Sequence, residues 1–283
     1  MPNDTCDSWT AWVPPRIHPA IILQAVNVDY ADMERNFIAV MEANSNFSRE
    51  NLYLLCLDPQ TVEIFKALQI HCVVVNGTGI VGRTGIWGLR VDVVRCLLQK
   101  GFDVILSDAD ALWVHNPMKD LASVAHNESS IVASRGKFPY SLRREWGTTM
   151  CMGFVLFRAS GNGMKLWQDV MRRVARKSGD DQIALNRAAE ELGIVWDMNS
   201  DMRYEASTQE GRGVVAGLST ASGIVFTVTL LPHRTYTRNC LWTPYSNETV
   251  VKHCNSRKHG NAQTSWMRAS NLWYLGNDSF GGT

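Results

Sequence analysis

The stretch that decides the fold spans residues 101–113 and reads Gly101-Phe-Asp-Val-Ile-Leu-Ser-Asp108-Ala-Asp110-Ala-Leu-Trp113. Its apolar run at 104–106 predicts a strand buried on both faces, and two carboxylates follow it directly. Ligands of open α/β sheets bind beyond the carboxyl ends of the strands, which is where Asp108 and Asp110 stand. Carboxylate oxygens suit hard cations such as Mn²⁺ or Mg²⁺, which also bind diphosphates. The stretch therefore predicts a metal site.

Strand and helix patterns alternate on the amino-terminal side of this stretch. The predicted elements are strands at 20–26, 52–57, 71–75 and 104–106, a helix whose apolar stripe is Met33, Phe37, Val40 and Met41, a helix from Pro59 to Leu68 with Asp58 as its N-cap, and a helix over 89–100 that ends at Gly101. This order predicts an α/β fold with a Rossmann-like mixed, mostly parallel sheet flanked by helices. Asn27 and Asp29 follow the first strand, so we expect them at the same sheet edge as Asp108, either in contact with a ligand or as turn residues after the strand.

The second half is less regular. Strands are predicted at 154–157 and 224–231 and helices at 163–177 and 181–192, whereas 199–223 and 232–270 read as rich in loops. Because no internal repeat or long linker is present, we expect a single domain over residues 20–275. Residues 1–19 are then an N-terminal extension and 276–283 a C-terminal tail.

Composition excludes some partners. The 283 residues carry a formal net charge of +1, from 28 basic and 27 acidic side chains, so no nucleic-acid partner is expected. No apolar run approaches the roughly 20 residues of a membrane span, so none is expected in this chain.

Two cellular locations stay open. A Golgi lumen, reached with an anchor since trimmed, is favoured by glycosylation sequons; a soluble cytoplasmic protein is expected if Met1 is the natural start. The sequons begin at Asn3, Asn46, Asn76, Asn127, Asn247 and Asn277.

The seven cysteines show no zinc-binding spacing. Cys56, Cys72 and Cys96 lie in apolar runs and are predicted to be buried thiols. Cys240 and Cys254 flank a polar loop and are better disulfide candidates.

Two chemistries use a pair of carboxylates at a strand end. In phosphatases of the haloacid-dehalogenase type, Asp108 would be the nucleophile and Asp110 the general acid, with Gly179-Asp-Asp181 as the distal acidic motif. That motif normally has Thr or Val where Leu112 stands, and it normally lies nearer the start of the chain. In nucleotide-sugar transfer, a metal neutralises charge on the leaving diphosphate.

Further pieces occur in order along the chain: Gln24-Ala-Val-Asn27, Leu55-Cys-Leu-Asp58, the stretch at 101–113, Gly153-Phe-Val-Leu-Phe-Arg158, Asp181-Gln182 with Asn186, Leu231-Pro-His-Arg, His253-Cys-Asn255 and Leu272-Trp273. With these pieces, residues from about 20 to 275 resemble the nucleotide-diphospho-sugar transferase domain of glycosyltransferase family 77. Members of that family in plants and protists include xylosyl-, arabinosyl- and galactosyltransferases. The resemblance implies a GT-A fold, a UDP-sugar donor, retention of anomeric configuration and a glycan or glycoprotein acceptor.

The resemblance also implies ligands for the metal. Asp110 would bind it directly, Asp108 would lie near both the metal and the ribose, and His253 would be the third protein ligand. Imidazole and carboxylate together suit Mn²⁺. His233 is the competing candidate for the third position.

Asp181 and Gln182 resemble the pair that faces the donor sugar in related retaining enzymes, and they are the predicted catalytic residues. Asp181 would hold sugar hydroxyls, and Gln182 would lie near the anomeric carbon. An N-cap at Asp180 or Asp181 is compatible with this role. Arg90 is expected to reach the sugar or the diphosphate, with a helix-surface position as the alternative.

The chain departs from the family pattern in two places. Thr264 stands where the family usually has a lysine, so Lys258 or His259 is expected to contact the diphosphate. Cys151-Met152 replaces small polar residues before a glycine, which puts acceptor contacts in doubt. The predicted function is a retaining, Mn²⁺-dependent transfer of xylose, galactose or arabinose. The phosphatase and a catalytically inactive carbohydrate-binding relative remain alternatives.

Overall fold

A computed structural model describes residues 4–10, 20–45, 47–75, 82–124, 129–159, 164–196, 214–219, 224–238, 247–253 and 260–276. Its helices are α1 (Asp4–Thr10), α2 (Ala31–Ser45), α3 (Pro59–Ala67), α4 (Gly82–Gln99), α5 (Pro117–Val124), α6 (Tyr140–Trp146), α7 (Met164–Ser178), α8 (Asp181–Glu191) and α9 (Gly260–Ala269). Within these ranges no helix combines the length and the apolar character that a membrane crossing requires.

The strands in the same ranges are β1 (Ala20–Val26), β2 (Leu52–Cys56), β3 (Cys72–Val74), β4 (Asp103–Ser107), β5 (Ala111–Trp113), β6 (Ser129–Gly136), β7 (Thr149–Phe157), β8 (Ile194–Trp196), β9 (Val214–Ser219), β10 (Ile224–Leu230), β11 (Tyr236–Thr237) and β12 (Val251–His253). Nine of these described strands form one sheet in the order β3-β2-β1-β4-β7-β6-β10-β9-β8. All of them run in one direction except β7 and β9. The prediction of a single α/β domain with a mixed, mostly parallel sheet is confirmed.

The two faces of the sheet have separate apolar cores. On β1, Ile22 and Val26 face a cluster that includes Phe37 of α2, whereas Ile21 and Leu23 face a second cluster under α4, α7 and α8. A strand covered by helices on both faces has apolar residues at nearly every position, because neither face meets water. The apolar run of β1, interrupted only by Gln24, therefore suits its position inside the sheet.

Two helix ends follow from local signals as predicted. Asp58 is the N-cap of α3, since its carboxylate accepts a hydrogen bond from the Thr61 amide at 2.8 Å. Gly101 follows α4 with φ +84°, a conformation that glycine adopts without steric cost. This turn leads the chain directly into β4 and so to the two carboxylates.

A second sheet of three strands, ordered β11-β12-β5, lies beyond the end of β4. β12 pairs antiparallel with β5, with His253 opposite Ala111. The interpretation of 232–270 as loops is wrong for β11, β12 and α9, and that of 199–223 is wrong for β9. Strands of two or three residues are too short to show a periodic pattern, and pairing with a distant strand holds them in place.

The prediction of free thiols at Cys56, Cys72 and Cys96 is also wrong. Cys56 and Cys72 form a disulfide between β2 and β3, and Cys6 and Cys96 form another between α1 and α4. The apolar runs correctly indicated burial of Cys56 and Cys96. Whether two sulfurs meet depends on which elements are neighbours, and β2 and β3 become neighbours only in the sheet.

Candidate active site

The end of β4 places two carboxylates on either side of a tight turn. The Asp108 amide donates a hydrogen bond to the Gly153 carbonyl on β7 at 2.9 Å, and the Ala111 amide donates to the Asp108 carbonyl at 2.9 Å. The first contact fixes Asp108 at the sheet edge, and the second closes the turn that carries Asp110. Both carboxylates therefore lie at the sheet edge where ligands of α/β folds bind.

β12 brings the imidazole of His253 to these carboxylates. Its Nε2 lies 3.2 Å from Asp110 Oδ1 and 4.0 Å from Asp108 Oδ2. A ligand atom from each of the three residues lies within 4.8 Å of the others. The structure thus brings together the three predicted metal ligands, which are more than 140 positions apart in sequence at the extremes.

Gly153 makes room for this arrangement. A Cβ atom at this position would overlap the His253 ring and would lie 2.8 Å from Nδ1 and 2.9 Å from Asp108 Oδ2. Only a residue without a side chain fits beside both groups. Gly153 was quoted within a sequence motif, but no local pattern showed that it faces a histidine of the small sheet.

The cluster fits a divalent cation. Two carboxylates and one imidazole are a donor set for Mn²⁺ or Mg²⁺, with the imidazole favouring Mn²⁺. Asp108, Asp110 and His253 are the residues that could hold such an ion.

The charges of the cluster depend on one another. Burial acts to raise the pKa of Asp108, but the positive charges of Arg90 and His253 outweigh it and hold that pKa below its usual range. Burial acts to lower the pKa of His253, but Asp110 raises it to about 10. The imidazolium therefore neutralises carboxylate charge in the metal-free protein, and a cation that binds Nε2 must displace its proton.

Arg90 joins this cluster to a third carboxylate, that of Asp181. Its Nη1 lies 3.0 Å from Asp108 Oδ1, and its Nε lies 3.2 Å from Asp181 Oδ2. Only 12% of the Arg90 side chain is exposed, so the helix-surface alternative is wrong. A planar guanidinium with several donors can bridge two carboxylates in fixed geometry.

Asp181 does not cap α8, because its neighbour Asp180 does so. Asp180 is the N-cap of α8 and accepts from the Ile183 amide at 2.7 Å, which leaves the Asp181 carboxylate to face Arg90. Burial raises the pKa of Asp181 to about 7, against the opposing charge of Arg90. Within the described part of the chain, its Oδ2 has the ionic contact with Arg90 but no hydrogen bond. The atom is buried, whereas the residue as a whole contributes to the wall of the cavity described below.

The side-chain amide of Gln182 forms hydrogen bonds with the backbone of two separate segments. Its Nε2 donates to the Phe138 carbonyl at 2.6 Å, and its Oε1 accepts from the Met152 amide at 3.4 Å. Gln182 therefore connects β7 to the segment between β6 and α6.

These groups line a cavity of about 570 Å³, a size that accommodates small-molecule ligands. Its lining combines charged and aromatic side chains: Trp87, Arg90, Asp108, Lys137, Phe138, Tyr140, Met152, Gly153, Asp180, Asp181, Gln182 and Arg238. Sequence reasoning missed Trp87, Lys137, Phe138, Tyr140 and Arg238. They come from separate segments without a shared motif, so no sequence signal singled them out.

Other candidates lie elsewhere. Asn27 and Asp29 follow β1, and the side-chain amide of Asn27 donates a hydrogen bond to the Asp29 carboxylate at 3.4 Å. Neither residue lines this cavity. His233 accepts a hydrogen bond from the Arg238 amide at 3.1 Å and is not part of the metal cluster. Lys258, His259, Cys240 and Cys254 lie outside the described residues.

Comparison with known proteins agrees with this architecture. The family of nucleotide-diphospho-sugar transferases matches residues 48–264. The fold is similar to that of the bifunctional glycosyltransferase WbbM (11% identity, TM-score 0.53, 91% of this chain and 50% of that chain). It is also similar to that of glycosyltransferase GlyE from Streptococcus pneumoniae TIGR4 (14% identity, TM-score 0.51, 89% of this chain and 60% of that chain). The chain thus spans half to three fifths of the length of these two structures. No curated protein sequence matches it. With this match over most of its length and its GT-A fold, the chain belongs to the nucleotide-diphospho-sugar transferase family of glycosyltransferases.

Proposed function

We propose that this protein is a retaining, Mn²⁺-dependent transferase that moves xylose, galactose or arabinose from a UDP-sugar to a hydroxyl of a glycan or glycoprotein acceptor. The observation that carries the proposal is the position of Asp108. It belongs to the candidate metal cluster with Asp110 and His253, and it also lines the cavity that contains Arg90 and Asp181. A donor whose diphosphate is bound to the metal needs a cavity for its sugar directly beside the metal cluster.

The leaving group would be bound at the end of β4. A bound divalent cation would neutralise charge on the departing diphosphate. Asp108, Asp110 and His253 would hold that cation. Asn27 and Asp29, beyond the neighbouring strand β1, are proposed to contact the nucleotide, and the resemblance to family 77 supports Lys258 as a further contact to the diphosphate.

The donor sugar would lie against Asp181. Asp181 lines the cavity and would hold sugar hydroxyls, and Arg90 links this carboxylate to that of Asp108. Gln182 keeps the adjoining wall in place near the anomeric carbon. Fixed groups around the reacting bond lower its barrier because they need no reorganisation during the reaction.

The reaction is a substitution at the anomeric carbon. The bond from that carbon to the diphosphate oxygen breaks, and the acceptor oxygen forms the new bond on the same face. The hydroxyl proton passes to a diphosphate oxygen.

The acceptor would bind against an aromatic edge of the cavity. Tyr140 is 50% exposed, and its ring packs edge-to-face on Phe138 at 5.8 Å. An exposed, rigid aromatic ring offers apolar area to the CH face of a sugar while its hydroxyl remains in water. This feature supports a glycan as the acceptor.

The Golgi lumen is the proposed location. The two disulfides of the described residues support it, because disulfides persist in oxidising compartments and are rare in the cytosol. Six sequons also support it. Digestion with an N-glycosidase of protein from secretory cells should increase its mobility on a gel; unchanged mobility, together with reduced cysteines, would favour the cytoplasmic alternative.

The test is UDP release from a panel of UDP-sugars, measured with Mn²⁺ and with EDTA. Wild-type protein should hydrolyse or transfer one donor only with Mn²⁺, and Asp110→Asn should abolish this activity. Asp32→Asn is the matched control, because Asp32 is an exposed carboxylate on α2 that pairs with Arg35. Product NMR should show retained anomeric configuration.

Other outcomes would contradict the proposal. Release of inorganic phosphate from simple phosphoesters, with no UDP released from any donor, would favour the phosphatase. Binding of UDP and Mn²⁺ with no turnover on any donor and acceptor would favour an inactive carbohydrate-binding relative.

A further inference from the structure

The two ring nitrogens of His253 have different surroundings. Nε2 faces Asp110 at 3.2 Å, on the side of the candidate metal cluster. Nδ1 lies 3.9 Å from the sulfur of Cys151 on β7. In a neutral imidazole only one nitrogen carries the proton, so a partner that accepts from Nδ1 leaves the Nε2 lone pair for a metal.

The Cys151 sulfur is held in place by a backbone hydrogen bond. The Gly153 amide donates a hydrogen bond to it at 3.3 Å. Cys151 is fully buried and stays outside the two disulfides found in the described residues. The sulfur therefore has a fixed, buried position beside the His253 ring and is not a surface thiol.

The same strand also fixes the opposite side of the cluster. The Gly153 carbonyl accepts the Asp108 amide at 2.9 Å, and the missing side chain of Gly153 provides the space for the His253 ring. Two positions of β7 thus set three features of the cluster: Gly153 holds the Asp108 backbone and leaves space for the ring, and Cys151 contacts Nδ1.

We propose that Cys151 is a positioning residue for His253. Its sulfur accepts a hydrogen bond from Nδ1–H, which keeps the proton on Nδ1 and fixes the rotation of the ring, so that Nε2 points to the two carboxylates and is available to a divalent cation. This inference rests on the metal role assigned to the cluster under the proposed function. Groups that orient metal-binding histidines typically contribute 10- to 100-fold to metal affinity.

The experiment compares three substitutions at position 151 in the full chain. Cys151→Ser keeps an acceptor, Cys151→Ala removes it, and Cys151→Val removes it while filling the space. Ser134→Ala is the packing control, because Ser134 lies opposite Cys151 on β6 and its hydroxyl donates to the Phe154 carbonyl rather than to the cluster. Mn²⁺ affinity is measured without donor, by the EPR signal of free Mn²⁺, and thermal unfolding is measured in EDTA.

The alanine and valine variants should bind Mn²⁺ about 10- to 100-fold more weakly than wild type. The serine variant should recover most of this loss, and Ser134→Ala should bind like wild type. A merely structural role of Cys151 would lower the unfolding temperature without this pattern of rescue. If the alanine variant does not fold, the serine and valine variants carry the comparison.

Wild-type affinity in the valine variant would overturn the inference and leave the proposed function intact. Equal loss in the serine and valine variants would also overturn it, since the acceptor would then not matter. A wild-type protein that binds no Mn²⁺ would overturn both proposals, and this outcome is distinguished from the others by the first titration.

Discussion

Replacing Gly153 with alanine adds one methyl group at the centre of the candidate site. The new Cβ would overlap the imidazole of His253 and would lie 2.8 Å from its Nδ1 and 2.9 Å from Asp108 Oδ2. Neither neighbour can move freely, because the Asp108 amide is bonded to the Gly153 carbonyl and His253 belongs to β12, which pairs with β5. The methyl group must therefore displace the ring, the carboxylate or both.

The size of the effect follows from these distances. Carbon atoms in contact prefer separations of about 3.5–4.0 Å, so the groups must separate by roughly 1 Å. Metal sites tolerate deviations of only about 0.2 Å in ligand distance, and a 1 Å misplacement can cost about 100-fold in rate. We expect Mn²⁺-dependent UDP release to fall about 100-fold, with Mn²⁺ affinity reduced. Overpacking should also destabilise the protein by about 1–3 kcal/mol.

The assay measures Mn²⁺ affinity, UDP release and urea unfolding for the same preparation. Gly88→Ala is the matched control, because a Cβ at Gly88 on α4 meets nothing within 4 Å. This control should keep wild-type activity and gain about 1 kcal/mol from the better helix propensity of alanine. Wild-type Mn²⁺ affinity and turnover in Gly153→Ala would refute the reasoning, because they would mean that the close packing of Gly153 does not set the ligand geometry.

Three further predictions concern stability. Arg90→Met removes the cation that bridges two carboxylates at a site where its side chain is 12% exposed, so the free energy of unfolding in urea and EDTA should fall by about 3 kcal/mol. Glu34 lies in the core, where burial raises its pKa from 4.5 to about 8. The unfolded glutamate ionises first as pH rises, so its contribution to stability is lost between about pH 4.5 and 8. The raised pKa values of Asp181 and His253 also make stability fall over parts of this range, so Glu34→Gln should reduce the decline seen in thermal unfolding. Cys6→Ser opens the disulfide to Cys96, whose sequence separation is 90, and should lower the free energy of unfolding by about 4 kcal/mol, as measured by denaturation under oxidising conditions.

Each of these has a result that would count against it. Unchanged stability in Arg90→Met would show that the two carboxylates do not depend on the guanidinium. An equal decline in wild type and Glu34→Gln would mean that Glu34 is not neutral in the folded state. Equal stability of wild type and Cys6→Ser before dithiothreitol is added would show that the disulfide does not form.

Local information determined the first half of the fold. β1 and β4 show apolar runs because both faces of the central strands are covered, and α3 and α4 show their ends through Asp58 and Gly101. These features depend on neighbours in sequence, so they can be predicted without the rest of the chain. The carboxylates Asp108 and Asp110 belong to this group, because their position follows from the end of a buried strand.

Long-range contacts determined the rest of the site. β12 has three residues and no periodic pattern, and only its pairing with β5 places His253 beside Asp110. The two disulfides, and the contacts of Arg90 with Asp108 and Asp181, also form between segments that are separate in the chain. Such contacts depend on which elements become neighbours after folding.

The sequence by itself determined the class of the sheet, the edge at which ligands bind and two of the three candidate metal ligands, since strand burial and side-chain chemistry are local properties. For His253, Asp181 and Gln182 it offered only a resemblance to a family. The tertiary structure decided that His253 rather than His233 joins the carboxylates, that Arg90 is buried, and that Gly153 and Cys151 shape the site. These facts depend on distances of a few ångströms between segments far apart in the chain, and no local pattern of residues specifies such distances.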